Sequence, residues 1–392
     1  MGVERTISVV FVADVPQTGG ASACLVELVD ALSREWGVRC TVLLSSDGPL
    51  VESLNAAGAR TYITGHRSFL VSRPGASYKV VPKYLIELVR YLFHRRRALF
   101  KANQLIDFDS VDIIHSNLPR NDLGEMLSTM HGIPHVCHLR EFSFEDFGCW
   151  SYRRRPADYL STHSSCLLSV SSACGRAWVN RGVEDRKLRV VYDGVDTSAF
   201  QGGVPGDERR PRSIVFLGGY SRAKGLDEAI GALRVLKDRG YDNIALDVYG
   251  FGGKRDIRRN KGLARRLGVA DQVAFHGAVQ DVSQVLSTHS IGLVCSRSEA
   301  FGRVVIEYLA SGLAVVGANR GSIPELLGEG RFGMLYDKGA GSESLADALE
   351  RLICDDDLVK LFRERGVARA KEFSVKRNAR SVMQVYKELL EF

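Results

Sequence analysis

The 392-residue sequence contains no apolar run that approaches the roughly 18 residues a membrane-spanning helix needs. Its first stretch, Met1 to Val12, becomes polar too early for a signal peptide and is typical of a first strand. The eight cysteines are scattered and form no C-x-x-C pair, which argues against a disulfide framework or a zinc site. We therefore expect a cytoplasmic protein with reduced thiols that is not integral to a membrane.

Internal repeats, low-complexity tracts and a complete Ser-His-Asp set are also absent from the sequence. Hydrophobic residues make up 45% and charged residues 25% of the chain, as in ordinary globular proteins, and its length suffices for two domains. The 53 Lys and Arg residues exceed the 46 Asp and Glu residues, which gives a net charge of +7. This mild excess allows an anionic partner without identifying one, and no nucleic-acid partner is expected.

Short apolar strands alternate with amphipathic helices, which predicts an α/β fold with doubly wound parallel sheets. The chain opens with a strand at Ile7 to Val12, a turn that ends in Gly19 and Gly20, and a helix from about Ser22. Further strands are predicted at Cys40 to Leu44, Val111 to His115, His135 to His138, Cys166 to Val170 and Arg189 to Tyr192.

A polar segment rich in Gly and Pro, Gln201 to Arg212, has the composition of a linker. A second strand–helix series follows it. Its strands are predicted at Ser213 to Leu217, Ala245 to Tyr249, Val273 to Phe275, Ile291 to Cys295 and Ala314 to Val316. We predict an N-terminal domain at 1–195, a C-terminal domain at 196–374, and a helix at 375–392 that crosses back to the N-terminal domain.

The stretch from Ser296 to Gly312 is the most informative part of the sequence. Helical spacing of apolar residues begins close to Gly302, directly after a predicted strand, so a helix N-terminus there would favour an anion such as a diphosphate. Glu299 and Glu307 bracket this helix start, and carboxylates of this kind can bind hydroxyl groups. The arrangement suggests a nucleotide-sugar site. The alternative is an ordinary surface ion pair between Arg303 and Glu307, four residues apart on one helix.

The segment from Glu299 to Glu307 resembles the E-x7-E signature of the family 4 retaining glycosyltransferases. Three following segments, Ala310-Ser-Gly312, Leu313-Ala-Val-Val316 and Gly321-Ser-Ile-Pro-Glu325, match the same family in order and spacing. The resemblance implies a GT-B fold, in which two Rossmann-like domains face each other across a cleft. It places the acceptor side in the N-terminal domain and nucleotide-sugar binding in the C-terminal domain.

The resemblance also implies roles for individual residues. Lys224 corresponds to a basic residue that binds the donor diphosphate, Glu299 to a ligand of sugar hydroxyls, Glu307 to a ligand of the ribose, and His138 to a contact of the donor sugar. The candidate catalytic residues are His138, Lys224 and Glu299. The candidate substrate-binding residues are Gly19, Gly20, Arg222, Lys224, Glu299, Phe301, Gly302, Arg303, Val304 and Glu307.

Some residues depart from the family pattern or allow a second interpretation. Gly219 stands where family members usually have Arg, and Arg222 could supply the missing charge. Gly19 and Gly20 could simply form a turn. His115 matches a common family position without a clear role.

The implied reaction is retaining transfer of a sugar from a nucleotide-diphosphate-sugar to a glycan, lipid-linked or small-molecule acceptor. The alternatives are a nucleotide-sugar epimerase of the same architecture and a non-catalytic sugar-nucleotide-binding protein. We expect no cofactor and no metal. Asp107-Phe-Asp109 matches the D-x-D pattern of metal-dependent transferases, but it precedes a strand, so we interpret it as a loop feature. Asp355 to Asp357 is interpreted as a helix start or a turn, and Gly250 to Gly253 is weak support for dinucleotide binding.

A helix is predicted from Tyr84 to Ile106, with Leu85, Leu88, Leu92, Leu99 and Ile106 at helical spacing. No acidic residue occurs from Arg90 to Lys101, and Arg153 to Arg155 is a second basic run. Two interpretations stay open: peripheral contact with an anionic membrane on its cytoplasmic face, or an ordinary solvated helix face.

Overall fold

A computed structural model of the chain describes residues 6–14, 19–72, 80–142, 149–200 and 213–391. The predicted linker at 201–212 and most of the predicted turn before Gly19 lie outside the described residues. The chain divides into two compact units. The N-terminal unit comprises Met1–Gly194 together with Val375–Phe392, and the C-terminal unit comprises Val195–Ser374.

The N-terminal unit is built on a parallel sheet to which the described residues contribute seven strands. These are β1 (Ser8–Ala13), β2 (Arg39–Leu44), β3 (Arg60–Ile63), β5 (Ile113–Ser116), β6 (His135–Leu139), β8 (Cys166–Ser169) and β9 (Leu188–Val190). Their spatial order is β3-β2-β1-β5-β6-β8-β9. Two short strands, β4 (Leu70–Ser72) and β7 (Cys149–Ser151), form a separate antiparallel pair.

Helices cover the sheet, so its central strands are buried, and apolar residues predominate in β1 and β2. The helices of this unit are α1 (Gly20–Trp36), α2 (Pro49–Ala56), α3 (Val80–Leu105), α4 (Leu123–His131), α5 (Pro156–His163), α6 (Ser172–Val179) and α14 (Val375–Leu389). The C-terminal helix α14 packs in the same core as α1, because Ala379, Val382 and Tyr386 are buried together with Leu25 and Leu28. The last helix of the chain therefore completes the core of the N-terminal unit.

The C-terminal unit is a second parallel sheet, with six strands among the residues described. They are β10 (Ser213–Leu217), β11 (Ala245–Tyr249), β12 (Val273–Gly277), β13 (Ile291–Val294), β14 (Ala314–Ala318) and β15 (Met334–Tyr336), in the spatial order β12-β11-β10-β13-β14-β15. Its helices are α7 (Leu226–Asp238), α8 (Lys254–Arg266), α9 (Val282–Ser287), α10 (Arg303–Ala310), α11 (Ile323–Leu326), α12 (Ser342–Cys354) and α13 (Asp356–Ala370).

Both sheets have the strand order of a doubly wound fold. In the C-terminal unit β10 pairs with β11 on one side and with β13 on the other, and in the N-terminal unit β1 lies between β2 and β5. The chain reverses its winding direction at these points, and ligands of open α/β sheets bind beyond the carboxyl ends of such strands. The predicted pair of doubly wound sheets is confirmed. Four strands were not predicted, namely β3, β4, β7 and β15, because none of them is marked by an extended apolar run.

Helix α3 forms where the sequence predicts it, and of the apolar residues at helical spacing Leu99 and Ile106 pack against the core. The inward side chains are Tyr91, Ala98 and Ala102, whereas Leu85 and Leu92 are 53% and 45% exposed. No helix in the described part of the chain combines the length and the apolar character needed to cross a bilayer.

Candidate active site

The loop after β13 carries Glu299 and leads into α10. Gly302 caps the helix with a φ of 91°, a left-handed conformation that favours glycine, and α10 begins at the next residue. Tyr308 on α10 is fully buried, and its hydroxyl accepts a hydrogen bond from the Leu217 amide at 2.6 Å. The helix start is therefore fixed at the junction of β10 and β13, where the predicted anion site requires it.

A second segment, which contains Gly321 and Ser322, supports the loop that carries Glu299. Ser322 is fully buried, and its hydroxyl donates to the carbonyl oxygens of Glu299 at 3.0 Å and of Phe301 at 2.5 Å. Gly321 lies so close that an added Cβ would be 2.5 Å from the Glu299 carbonyl oxygen. Sequence reasoning quoted Gly321 and Ser322 as part of a family match but gave them no role. The structure assigns them the support of the loop that carries Glu299.

The loop after β10 packs against the same strand end. Gly225, with a φ of 72°, approaches Cys295 so closely that a Cβ would be 2.0 Å from its carbonyl oxygen. The Arg297 amide donates to the Ala223 carbonyl at 2.8 Å. These contacts bring Lys224 to Glu299, and Lys224 Nζ lies 3.0 Å from Glu299 Oε2. Two of the three candidate catalytic residues are thus direct neighbours in the C-terminal unit.

The remaining predicted residues of this unit fall into three groups. Arg303 and Glu307 form an ion pair in which Nε and Oε1 are 2.9 Å apart. Phe301 is 6% exposed and packs against Phe373, with ring centroids 6.1 Å apart, so only its backbone can contact a ligand. Val304, also on the first turn of α10, is partly buried.

Arg222 is exposed and, among the residues described, has no ion-pair partner. The position of Gly219, where the family usually has Arg, is crowded, since a Cβ there would lie 3.2 Å from the Phe251 carbonyl oxygen. Gly250 and Gly252 are explained by packing, because Cβ atoms at these positions would lie 1.5 Å from the Gly218 carbonyl oxygen and 2.4 Å from the Tyr220 ring. The glycines that resembled a dinucleotide motif therefore allow two loops to pack together.

In the N-terminal unit, Gly19 and Gly20 are exposed at the start of α1, and Cβ atoms at either position would have nothing within 4 Å. This open space allows a ligand to approach the backbone. The Asn117 side chain donates to the Ala21 carbonyl at 3.4 Å and accepts from Arg140 Nε at 3.0 Å. Asn117 therefore links the start of α1 to the residues around His138.

His138 lies on β6, fully buried, within a network of polar side chains. Its Nδ1 is 2.9 Å from His115 Nε2 and 3.2 Å from Arg140 Nη2, and His115 Nδ1 is 2.5 Å from the Tyr386 hydroxyl. Arg140 also forms a buried ion pair with Asp193. Burial lowers the pKa of both histidines well below its usual value, and the nearby Arg140 charge acts in the same direction. Both imidazoles are therefore neutral at physiological pH.

A cavity of about 360 Å³ lies beyond the carboxyl ends of β1, β2 and β3. Its lining includes Asp14, His66, Arg67, Arg120 and Tyr152. His66 Nε2 is 3.2 Å from Asp14 Oδ1, and Arg120 forms a salt bridge with Glu141. Asp14 Oδ2 and the Tyr152 hydroxyl are buried and, within the described residues, have no hydrogen-bond partner. Sequence reasoning missed this cavity, because its residues come from six separate segments without a shared motif.

Groups of three or more His, Cys, Asp or Glu side chains arranged to hold a metal do not occur in the described residues. The D-x-D residues serve a local purpose, since Asp107 accepts from the Asp109 amide at 3.2 Å in a short turn. Asp355 caps α13 by accepting from the Leu358 amide at 2.8 Å, as its interpretation as a helix start predicts.

Two family models match nearly the whole chain. The model for glycosyltransferase family 4 matches residues 18–199, and the model for glycosyl transferases group 1 matches residues 203–369. A D-inositol 3-phosphate glycosyltransferase from Acidothermus cellulolyticus is 30% identical over 333 residues, which cover 78% of this chain and 73% of that protein. The chain belongs to the family 4, group 1 glycosyltransferases.

Further relatives support the same assignment. A phosphatidyl-myo-inositol mannosyltransferase from Mycobacterium leprae is 26% identical over 64% of this chain and 72% of its own length. Crystal structures of Alr3699/HepE from Anabaena with UDP and with UDP-glucose superpose with TM-scores of 0.79 and 0.78, at 19% and 21% identity. Each superposition covers 97% of this chain and all of the other, which supports the GT-B fold predicted for this glycosyltransferase.

Proposed function

We propose that this glycosyltransferase transfers a sugar from a nucleoside diphosphate sugar to a hydroxyl acceptor and retains the anomeric configuration. The observation that carries the proposal is the placement of Lys224 and Glu299, 3.0 Å apart, beside the N-terminus of α10. A departing diphosphate needs positive counter-charge, which the Lys224 ammonium and the helix N-terminus supply. The Glu299 carboxylate is an acceptor for sugar hydroxyls. The complexes of Alr3699/HepE with UDP and UDP-glucose support a donor of this class.

In the proposed reaction, the bond between the anomeric carbon and the phosphate oxygen breaks while the acceptor oxygen forms the new bond on the same face. The acceptor hydroxyl gives its proton to the leaving phosphate, so the reaction requires no nucleophilic carboxylate. Glu307 is assigned to the ribose, His138 to a hydroxyl of the donor sugar, and Gly19 and Gly20 to close approach of the donor phosphates. Lys224, together with Arg222, supplies the positive charge that a divalent metal supplies in metal-dependent transferases.

The cavity near Asp14 and His66 supports an acceptor site in the N-terminal unit. Its volume lies at the lower end of the range for small-molecule sites, and it combines basic side chains with two buried oxygens that have no hydrogen-bond partner within the described residues. Such a lining suits a compact acceptor group with several hydroxyls. The relatives that act on inositol-containing acceptors are consistent with that chemistry.

We also propose that α3 contacts an anionic membrane surface. Its outward face carries Val89, Phe93 and Phe100 at 65%, 62% and 65% exposure, and Arg96 and Arg97 are exposed beside them. An apolar face bordered by arginines suits the boundary between headgroups and acyl chains. Arg95 is not part of this surface, because its Nε lies 2.8 Å from the buried carboxylate of Asp122. Lys101 is also engaged internally and donates to the Ile63 carbonyl at 2.8 Å.

The experiment that tests the function is an assay of the purified full chain with UDP-, GDP- and ADP-sugars, ranked first by thermal shift. Each bound donor is then incubated with polyol, glycan and lipid-linked acceptors, and the product is analysed by NMR. We expect a glycoside with the anomeric configuration of the donor. An isomerised sugar nucleotide would identify an epimerase, and binding without any product would identify a non-catalytic protein. A product of inverted configuration would contradict the retaining mechanism.

A further inference from the structure

His138 presents one ring nitrogen that nothing in the described chain satisfies. The residue is fully buried, and its Nε2 has no hydrogen-bond partner among the described residues. A buried polar atom without a partner is costly in a folded protein and marks a place where a ligand atom completes the hydrogen bonding. Whether this nitrogen donates or accepts decides which ligand atom it can bind.

The contact between Arg140 and the other ring nitrogen of His138, Nδ1, shows which of the two nitrogens carries the proton. Arg140 Nη2 lies 3.2 Å from His138 Nδ1. A guanidinium group can only donate hydrogen bonds, so Nδ1 is the acceptor of this contact and carries no proton. Arg140 is itself held by the buried ion pair with Asp193 and by the side-chain oxygen of Asn117.

The hydrogen bonds of His115 and Tyr386 are consistent with an unprotonated Nδ1 on His138. Because His138 Nδ1 accepts, His115 Nε2, at 2.9 Å, must be the donor of the contact between the two rings. A neutral imidazole carries one proton, so His115 Nδ1 accepts from the Tyr386 hydroxyl at 2.5 Å. Burial keeps both rings neutral by lowering the pKa of each well below its usual value.

We propose that Tyr386, His115 and Arg140 are positioning residues that hold His138 as the tautomer with its proton on Nε2. His138 then acts as a hydrogen-bond donor to a substrate oxygen and cannot serve as a general base. This assignment deepens the proposed function, because the oxygen is a hydroxyl of the transferred sugar. The C-terminal helix α14, which provides Tyr386, is thereby part of the sugar-recognition apparatus of the N-terminal unit.

The direct test is the tautomer of His138 in the full-length chain labelled with ¹⁵N-histidine, observed through long-range ¹H–¹⁵N correlations. The His138 signals are assigned by their absence from His138→Ala. We expect the wild type to carry the proton on Nε2, and Tyr386→Phe to show a population with the proton on Nδ1. His135→Gln is the matched control, because His135 is buried on the same strand but contacts Ser116 and Ser164 instead. It should leave the His138 signals unchanged.

Kinetics provide the second measurement. Tyr386→Phe should lower kcat/KM for the sugar nucleotide about tenfold, the effect of one weakened hydrogen bond, without changing the affinity for the bare nucleotide. His115→Gln keeps a donor near the position of Nε2 and should retain more activity than His115→Leu. A wild-type His138 protonated on Nδ1 would overturn the proposal, as would a Tyr386→Phe enzyme with unchanged tautomer and kcat/KM. If no sugar nucleotide supports turnover, the proposed function fails, while the tautomer measurement still decides the role of these residues.

Discussion

The ammonium of Lys224 and the carboxylate of Glu299 lie 3.0 Å apart, although the sequence assigns them to different parts of the donor. The pair is partly exposed, with 38% of the Lys224 side chain and 20% of the Glu299 side chain accessible. Partly exposed pairs contribute little to stability, on the order of 0.2–1 kcal/mol, so we expect their substitution to affect activity far more than folding. Because the two groups touch, their effects on activity should not be additive.

Lys224→Ala should lower kcat about a hundredfold, as loss of one group that stabilises developing negative charge does in other enzymes. Arg222→Ala should have an intermediate effect if Arg222 supplies the charge that Gly219 cannot. Activity should survive EDTA if, as proposed, cationic side chains and a helix N-terminus supply the positive charge that a metal would otherwise provide. Lys360→Ala, an exposed lysine on α13, is the control and should retain full activity. Loss of activity with EDTA and recovery with Mg²⁺ or Mn²⁺ would contradict this account.

Glu307→Gln should weaken the bare nucleotide and the sugar nucleotide equally, since both contain the ribose. Glu299→Gln should weaken the sugar nucleotide more than the bare nucleotide, because its carboxylate is assigned to the sugar. Calorimetric titration of both ligands measures the two affinities, with Glu364→Gln on the exposed face of α13 as the control. Equal losses for both ligands in both variants would disprove the separate roles.

Binding to anionic vesicles should fall at least about thirtyfold in the double variant Arg96→Glu/Arg97→Glu, because each basic residue lost from such a surface contributes roughly 1 kcal/mol and the added carboxylates are repelled by it. Val89→Ser/Phe93→Ser should weaken binding without changing its salt dependence. The control is Lys360→Glu/Arg365→Glu, which makes the same charge change on exposed residues of the C-terminal unit. Equal binding by the two charge-reversal variants would show that the α3 face is merely solvated.

The buried carboxyl group of Glu125 on α4 should make the free energy of unfolding decrease as the pH rises. Burial raises the pKa of this carboxyl to about 8, and both its oxygens are buried without a partner among the described residues. The unfolded pKa is about 4.3, so between these values the folded chain binds the extra proton and its stability decreases with increasing pH. His115, His135 and His138 act in the opposite direction at acidic pH, because burial lowers the pKa of each.

The contribution of Glu125 is therefore isolated by the difference between the wild type and Glu125→Gln, measured as Tm from pH 5.5 to 8.5. We expect the variant to gain stability relative to the wild type as the pH increases. Parallel curves for the two proteins would rule out a carboxyl that is protonated in the folded state.

The structural features that could be predicted from the sequence are those encoded within short segments of the chain. The strands β10, β11 and β13 and the start of α10 are encoded by local apolar spacing and by Gly302, so they were identified within one or two residues. For α3 the periodicity identified the helix but not the residues that meet the core. The buried residues Tyr91, Ala98 and Ala102 are not the most apolar of this helix, whereas Leu85 and Leu92 are exposed.

Contacts between segments that are distant in the chain could not be predicted from the sequence. Ser322 supports Glu299 and Phe301 through hydrogen bonds across more than twenty residues, and nothing in a Gly-Ser pair distinguishes such a support from a turn. Tyr386 meets His115 across 271 residues, and in the sequence it is simply one of several apolar positions on the last helix. Both contacts can be recognised only once the topology of the sheet is known.

The placement of α14 in the N-terminal unit constrains how the chain matures on the ribosome. The C-terminal unit is continuous from Val195 to Ser374, so it can fold as soon as that segment has emerged. The N-terminal unit is synthesised first, yet Ala379, Val382 and Tyr386, which fill its core, are translated only after the whole C-terminal unit. The first half of the nascent chain must therefore keep an open apolar face until α14 has emerged, and a truncation before Val375 would remove the helix that closes this core.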